Sequence, residues 1–518
     1  MRTSSYAIKS SYIFLIILIV IFGAFELPAA GRRLPVEEKK AVCEQEAAIP
    51  TEITKPRIAD HPSFIAFDSL DWSVPLGDPY RTELKNGMIA YVAVDSTLPL
   101  VTISALIRSG SLSDPAGKEG LGSLMTRLLR TGGTERYPAD TLDALIDMMA
   151  MKFGFSQTEA HIAFQASFLS DFLDTALNIT RQMFYHPAFQ PDKIEKEKMI
   201  ALENIRHRFV NPGPTLAAAY RKLMYPGRAP SRFSTASSVK SITREDLAAL
   251  HKTAFSERDM IIAVSGKFDR DEMISKLNAI FTTPIKQSER VDFSEITVAP
   301  QVNALVVHRP INQVFVRMGL PLFKRPHDDF YAVSVMNLIL GGGGFTSRLG
   351  TRVRSDEGLT YSIHSSAESN YTYPATLFIS FFTGTELYPK AISIILEVLD
   401  SIRVNGVTES ELNHAKSSII SELPSSFRSP EDIVSTYAWN EFYGRDADHF
   451  VKYPHEIAKL TLDDIKAAAQ KYININNISY AIVGDTAAIK AADAGNFFNL
   501  NSIENRHVTS SDSLLFLP

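Results

Sequence analysis

Val239-Lys240-Ser241-Ile242-Thr243-Arg244-Glu245-Asp246-Leu247 is echoed by Ile457-Ala458-Lys459-Leu460-Thr461-Leu462-Asp463-Asp464-Ile465, 218 residues further along the chain. The same offset carries Ala263-Val264-Ser265-Gly266 onto Ala481-Ile482-Val483-Gly484. In each copy a threonine stands where a helix N-cap is expected, with acidic residues two or three positions on. The hydroxyl can accept from a free backbone N–H, and the acids suit the positive end of the helix dipole. A short β-branched run closing on glycine follows and reads as a strand. One such match can arise by chance, but a constant offset from Thr243 to Gly266 does not. A period this long marks a duplicated domain and not a solenoid.

The halves so defined run over 76–295 and 296–500, each an ordinary domain size. Both open with strand pairs: Gly87–Val94 and Val101–Ile107 in the first, Ala304–His308 and Gln313–Met318 in the second. Amphipathic helices follow, such as Ala391–Ile402. Strands and helices that cluster without strict alternation predict an α+β fold, two tandem homologous domains each with a mainly antiparallel sheet packed by helices. The 518 residues, 45% hydrophobic and 21% charged, exclude a disordered, collagenous or multi-span membrane chain. A net charge of −5 gives no general phosphate-binding surface, so no nucleic-acid partner is expected. With Cys43 alone, neither an intramolecular disulfide nor a cysteine-rich metal site can be built.

Residues 1–30 differ from the rest. Arg2 and Lys9 precede an apolar run from Tyr12 to Phe25, followed by Glu26-Leu27-Pro28-Ala29-Ala30. At a helical rise these residues span about 21 Å, short of a bilayer core of about 30 Å. The pattern predicts a secretory signal peptide, or failing cleavage an N-terminal anchor. Export without disulfides fits the bacterial periplasm, with the protein soluble or N-terminally membrane-anchored. Residues 31–75 read as an extended leader. The polar stretch from 490 reads as loose, with 501–518 as a tail.

Obvious catalytic signatures are missing. The nearest two histidines, His449 and His455, are six apart with Pro454 between them, so no His-rich zinc face is visible. No Gly-x-Ser-x-Gly elbow occurs. The run Gly341-Gly342-Gly343-Gly344-Phe345-Thr346-Ser347-Arg348 lacks the Gly-Lys-Ser/Thr of a phosphate loop. Four glycines after the apolar helix Tyr331–Leu340 predict a mobile loop, or one where backbone comes close to something else.

Leu340-Gly341-Gly342-Gly343-Gly344-Phe345-Thr346-Ser347-Arg348-Leu349, continuing to Arg354-Ser355-Asp356-Glu357-Gly358-Leu359-Thr360-Tyr361-Ser362, resembles the C-terminal-domain signature of the pitrilysin/insulinase (inverzincin) metallopeptidases. The resemblance runs from about Leu84 to Gly484 and implies repeated α+β domains of the size found above. It also implies a zinc helix, His-x-x-Glu-His, in the first half. The matching stretch is Gly120-Leu121-Gly122-Ser123-Leu124-Met125-Thr126-Arg127-Leu128-Leu129. The two histidines fall on Ser123 and Arg127 and the general-base glutamate on Thr126. The third ligand falls on Asn204, or after a one-residue shift on Glu203. One carboxylate beside a cation cannot hold zinc. No cofactor is therefore expected on this chain, and no catalytic residue of its own.

What the resemblance leaves intact is Arg354 and Tyr361, a substrate-binding pair whose guanidinium and phenol can hydrogen-bond a peptide carbonyl as charge develops on it. It also implies that the strand Ala160–Leu169 is a sheet edge onto which extended peptide adds through main-chain hydrogen bonds, the alternative being an ordinary half-buried strand. The expected role is a non-catalytic subunit of a heteromeric zinc metallopeptidase. Its partner would be a homologous zinc-bearing subunit with an intact His-x-x-Glu-His, and its substrate an extended peptide. Zinc would then sit in the partner. The alternatives are a structural or scaffold pseudo-peptidase and a stand-alone metalloendopeptidase.

Overall fold

The computed structural model describes residues 65, 72–255, 260–282, 293–298, 304–493 and 506–508. The expected signal segment, Cys43, and most of the leader and tail lie outside the described residues. None of the described helices is long and apolar enough to cross a membrane.

The first half contains β1 (Arg81–Glu83), β2 (Ile89–Val94), β3 (Leu100–Ile107), α1 (Leu121–Thr131), α2 (Ala139–Met148), β4 (Lys152–Gln157) and β5 (Ile162–Leu169). It continues with α3 (Leu173–Tyr185), α4 (Pro191–His207), α5 (Pro212–Met224), α6 (Ala236–Ser241), α7 (Arg244–Ala254), β6 (Met260–Gly266) and α8 (Arg270–Ile280). The second half contains β7 (Ala304–His308), β8 (Gln313–Pro321), α9 (Phe330–Asn337), β9 (Ile363–Ala367), β10 (Thr376–Gly384) and α10 (Tyr388–Asn405). After these come α11 (Glu409–Glu422), α12 (Pro430–Phe442), α13 (His449–Ala458), α14 (Leu462–Tyr472), β11 (Ser479–Gly484), α15 (Thr486–Ala492) and β12 (Arg506–Val508).

Two six-stranded sheets result, ordered β1-β2-β6-β3-β5-β4 and β12-β7-β11-β8-β10-β9. The run β2-β6-β3-β5-β4 recurs as β7-β11-β8-β10-β9, which is the duplication read from the sequence. Pairing is antiparallel except β2–β6, β7–β11 and β7–β12. The repeated caps form as expected. Thr243 Oγ1 accepts from Asp246 N at 3.2 Å while Asp246 accepts from Thr243 N at 2.8 Å. Thr461 and Asp464 repeat this at 3.3 and 2.7 Å.

Every residue of the central strands β6 and β11 is buried. A strand apolar on both sides needs cover on both faces. Helices of its own half cover one face, and the other half supplies the second. Leu216, Ala219, Tyr220 and Met224 of α5 cluster with Leu305, Val307, Ala481 and Val483 of the second sheet. Reciprocally, Val434, Tyr437, Ala438 and Phe442 of α12 cluster with Tyr91, Ala93, Leu106, Ile261 and Ala263 of the first. The exchanged helices are copies of one another: Pro212 and Pro430 open them 218 residues apart, and each helix spans 13 residues. Polar ties seal the exchange. Glu441 accepts from Arg81 at 3.1 Å and from the Tyr91 hydroxyl at 3.0 Å. Glu159 holds Arg221 and Tyr373 of opposite halves, and the Tyr225 hydroxyl donates to Pro374 O at 3.0 Å.

Three expectations need correction. The strand read as an edge, Ile162–Leu169, is internal, hydrogen-bonded to β3 on one side and β4 on the other. Its alternating burial fits either position, so the sequence could not separate them; among the described residues the edge strand on this side of the sheet is β4 and the other edge is β1. Arg506–Val508, assigned to the tail, adds a strand parallel to β7. Residues 72–75, read as the end of the leader, pack on α12: Trp72 and Val74 join its cluster, and the Tyr437 hydroxyl donates to Pro75 O at 2.7 Å.

Because each half completes the core of the other, they should unfold together. Met224→Ala, at a fully buried side chain between α5 and the second sheet, is expected to cost about 2–5 kcal/mol. Urea unfolding followed by fluorescence and circular dichroism should stay a single coincident transition; two separable transitions would contradict mutual completion.

Candidate functional site

Helix α1 starts at Gly120, whose φ of 100° is open to glycine and costly for other residues. The buried Asp114 carboxylate accepts from Gly120 N at 2.8 Å and Gly122 N at 2.9 Å, satisfying two free N–H groups of the first turn. Leu121, Leu124, Met125, Leu128 and Leu129 form the buried stripe, so Ser123 and Arg127, one turn apart, face outward. Thr126 is buried, and its hydroxyl donates back to Gly122 O at 2.7 Å. It is occupied by its own helix and offers no base.

The carboxylate facing α1 is neither of the two considered from the sequence. Asn204 is exposed, and Glu203 pairs with His207 at 2.7 Å and Arg206 at 3.0 Å on the outer face of α4. Glu197, only 7% exposed, sits 3.7 Å from Arg127 and accepts from the Thr131 hydroxyl at 3.0 Å. Glu197 precedes Asn204 by seven residues, about two helical turns, so both project from one side of α4. That spacing was the available signal. An arginine, a hydroxyl and an amide do not form a zinc donor set, and the nearby carboxylate is engaged by the arginine. Among the described residues no group of three or more His, Cys, Asp and Glu could hold a metal ion.

The second cluster is built by the glycine run. After α9 the chain widens into a π-helical turn, Leu338–Gly342, and again over Gly350–Asp356. Such widened turns often accompany functional sites. A Cβ on Gly341 would sit 2.6 Å from Ser365 N in β9, so the close-approach reading of the glycines holds there. Gly344 has φ +63°, a left-handed residue that turns the chain toward Phe345. Arg348 then fixes the segment. It donates twice to Glu411 of α11, at 2.7 and 2.8 Å, and once to Gly406 O at 3.1 Å. That hydrogen bonding, aided by the Thr408 backbone, pushes the Glu411 carboxyl down to about 2. Downstream, the Thr360 hydroxyl donates to Phe382 O at 2.6 Å and Thr383 donates to Leu359 O, so Tyr361 leaves a pinned backbone.

These constraints bring Arg354 and Tyr361 together. The Arg354 guanidinium lies 4.7 Å from the Tyr361 ring centroid and 4.1 Å from that of Phe345, between two aromatic faces. The acids nearest in sequence are engaged elsewhere: Asp356 with Arg352 at 3.3 Å and Glu357 with Lys390 at 2.8 Å. Among the described residues no hydrogen bond or ion pair occupies Arg354, which leaves its N–H edge for an external acceptor. Tyr361 is 76% exposed and Phe345 67%, a large apolar outlay for a surface with no partner. Phe345 and Arg348 carried no separate role in the sequence reading; their positions relative to Arg354 and Glu411 depend on tertiary contacts. No hydrogen bond, ion pair or ring contact joins Ser123, Thr126, Arg127 or Asn204 to Arg354 or Tyr361.

Comparison with known proteins agrees with this architecture. Residues 91–224 match the family described as insulinase (peptidase family M16), and residues 241–419 match the peptidase M16 inactive domain. An uncharacterized zinc protease of Mycobacterium bovis is 23% identical over 406 residues, covering 76% of this chain and 91% of that protein. A non-peptidase homolog, YmxG, of Helicobacter pylori is 23% identical over 394 residues, covering 75% and 90%. The crystal structure of a peptidase M16 inactive domain from Pseudomonas fluorescens superposes with a TM-score of 0.70 at 22% identity, covering 78% of this chain and 97% of that one.

Two outcomes follow. Metal analysis of the purified chain should find no stoichiometric zinc, and a quenched-peptide assay no chelator-sensitive cleavage; about one zinc per chain with such cleavage would contradict the donor-set argument. For the Arg348 anchor, a depressed carboxylate stabilises fully above its unfolded value of 4.5 and progressively less as pH falls toward 2. The stability advantage of wild type over Glu411→Gln should therefore shrink between about pH 5 and pH 3.5. A constant difference would mean that the charge contributes nothing.

Proposed function

The chain belongs to the insulinase (M16) peptidase family, and we propose that within it the protein is the non-catalytic subunit of a heteromeric zinc metallopeptidase. It closes the proteolytic chamber and lends Arg354 and Tyr361 to cleavage by a homologous zinc-bearing subunit. The observation that carries this reading is the asymmetry of the two clusters. Metal-ligand positions on α1 hold Ser123 and Arg127, whereas a half-buried Arg354 and an exposed Tyr361 are brought together with no polar partner among the described residues. A chain that had lost every proteolytic role has no physical need to hold an exposed phenol against a half-buried guanidinium over a glycine run. The likeness to solved structures supports the fold; the division of labour is our reading.

In this scheme the partner's zinc supplies the Lewis acid and the activated water. Residues of this chain act on the substrate backbone. The Tyr361 hydroxyl and the free edge of Arg354 donate to peptide carbonyls, and donors aimed where negative charge develops count most in a dry, closed site. The rings of Phe345 and Tyr361 hold the guanidinium plane between them, which reduces the orientational freedom lost on binding. The edge strand β4 has one unpaired side and can take up extended peptide by strand addition, a role first expected of its neighbour. A scaffold without proteolytic function is the second reading; the non-peptidase name of the Helicobacter pylori relative favours it.

Kinetics on the reconstituted pair separate the two. Tyr361→Phe removes one hydroxyl with little change in packing and should lower turnover by about 10²-fold or more. Arg354→Lys keeps the charge but loses the planar fork, and should act chiefly on substrate positioning, with assembly unchanged in both variants. Wild-type rates in both mutants would leave the chain a scaffold. Co-purification that yields no metallopeptidase partner would do the same.

A further inference from the structure

On the face of the first sheet that receives α12, the helix covers β2 and β6 and leaves the β3-β5-β4 side partly open. A cleft of about 340 Å³ lies there, near the lower end of the range for small-ligand sites. Thr102, Ser104, Gln165 and Ser265 line its floor, and Trp439 and Glu431 of α12 its wall. None of these floor side chains makes a hydrogen bond to another described residue. Ser265 is only 5% exposed, and what it does expose lines the cleft.

The duplication supplies an internal control. Sheet register places Ser104 opposite Ala263, as Arg317 lies opposite Ala481 in the second sheet, and Thr102 opposite Ser265, as Phe315 lies opposite Val483. By the same registers Ala163 and Ser167 of β5 correspond to Phe378 and Phe382 of β10. In the second sheet these large side chains fill the face: Arg317 lies 4.4 Å from the Phe378 centroid, and Phe315 stacks on Phe382 at 5.3 Å. The cleft is thus no by-product of the fold. It exists because the first half carries Thr102, Ser104, Ala163 and Ser167 where its copy carries arginine and phenylalanines.

We propose that this cleft is a binding site for a neutral saccharide, one or two sugar rings in size. No basic residue lines it, which disfavours phosphates and carboxylates. Glu431 is its only charge, too little to select a polycation. Hydroxyls and a carboxamide both donate and accept, and match a ligand that does the same at every carbon. The indole of Trp439, stacked on Tyr443 at 5.4 Å, borders the cleft and can pack against the C–H face of a ring, and the Glu431 carboxylate can accept from two adjacent hydroxyls. The site is independent of the peptidase reading, and its test does not require the partner subunit.

The chain has two tryptophans, so Trp72→Phe leaves Trp439 as the sole reporter. Titration of this full-length variant with maltose and with cellobiose should give a saturable emission change, half-complete in the millimolar range, with matching heat in calorimetry. Ser104→Arg and Ala163→Phe, which install the side chains of the second sheet, should weaken binding at least tenfold with the thermal midpoint retained. Gln165→Ala is the gentler variant should those two fail to fold, and should weaken binding several-fold. No saturable response to either sugar, an equal response in the refilled variants, or a stronger response to spermidine or phosphate would overturn the assignment.

Discussion

The burial of β6 and β11 on both faces is the constraint from which the rest of this structure follows. A central strand of Met260-Ile261-Ile262-Ala263-Val264 or Tyr480-Ala481-Ile482-Val483 type cannot leave one side to water. Each half has helices enough for one face of its sheet. The second face is closed by a helix sent across from the other half, α5 in one direction and α12 in the other. Neither half has a complete core alone, and the polar groups at the crossing, Glu159 and Glu441, each bind side chains from the opposite half. The duplication therefore persists as a mutual dependence between its copies.

The same mutual arrangement leaves room for divergence. Because the core is secured by the central strands and the exchanged helices, positions toward β3-β5-β4 on one sheet and β8-β10-β9 on the other are free to differ. One face is filled by Arg317 and a set of phenylalanines; its copy is a hydroxyl-lined cleft. Helix α1 shows the same freedom. It keeps its cap on Asp114 and its leucine stripe, so it folds and packs as a helix of this family must, while the outward positions have changed chemistry. Arg127 meets the buried Glu197, and the fold loses nothing by it. A paired arginine satisfies a buried carboxylate that would otherwise be costly to hold uncompensated.

The second cluster has the opposite character, since its geometry costs conformational freedom and is nonetheless kept. A glycine run and two widened helical turns are each unfavourable in isolation. They are held by a bidentate Arg348–Glu411 pair and by Thr360 and Thr383 on the neighbouring strand. What these restraints produce is one arginine between two exposed aromatic rings. Expense concentrated at one surface point, with inexpensive replacement elsewhere, is what supports the role proposed above for this cluster.

The sequence alone determined the duplication, the α+β class, and the capped helices and their strands, whereas Arg354 and Tyr361 were singled out only through the family resemblance of their motif. These rest on local chemistry: a threonine cap, a helical or alternating period, a glycine run. It did not reveal that Ile162–Leu169 is an inner strand, because alternating burial is the same at an edge and beside one. It did not reveal that Glu197 is the acid meeting Arg127, because which face of α4 turns toward α1 is fixed by packing. The exchange of α5 and α12 was equally hidden, since an amphipathic helix records that it has an apolar face and not whose sheet that face will cover. Only the tertiary structure decides such matters, because they depend on which surfaces meet, and the energy of meeting is shared between residues far apart in the chain.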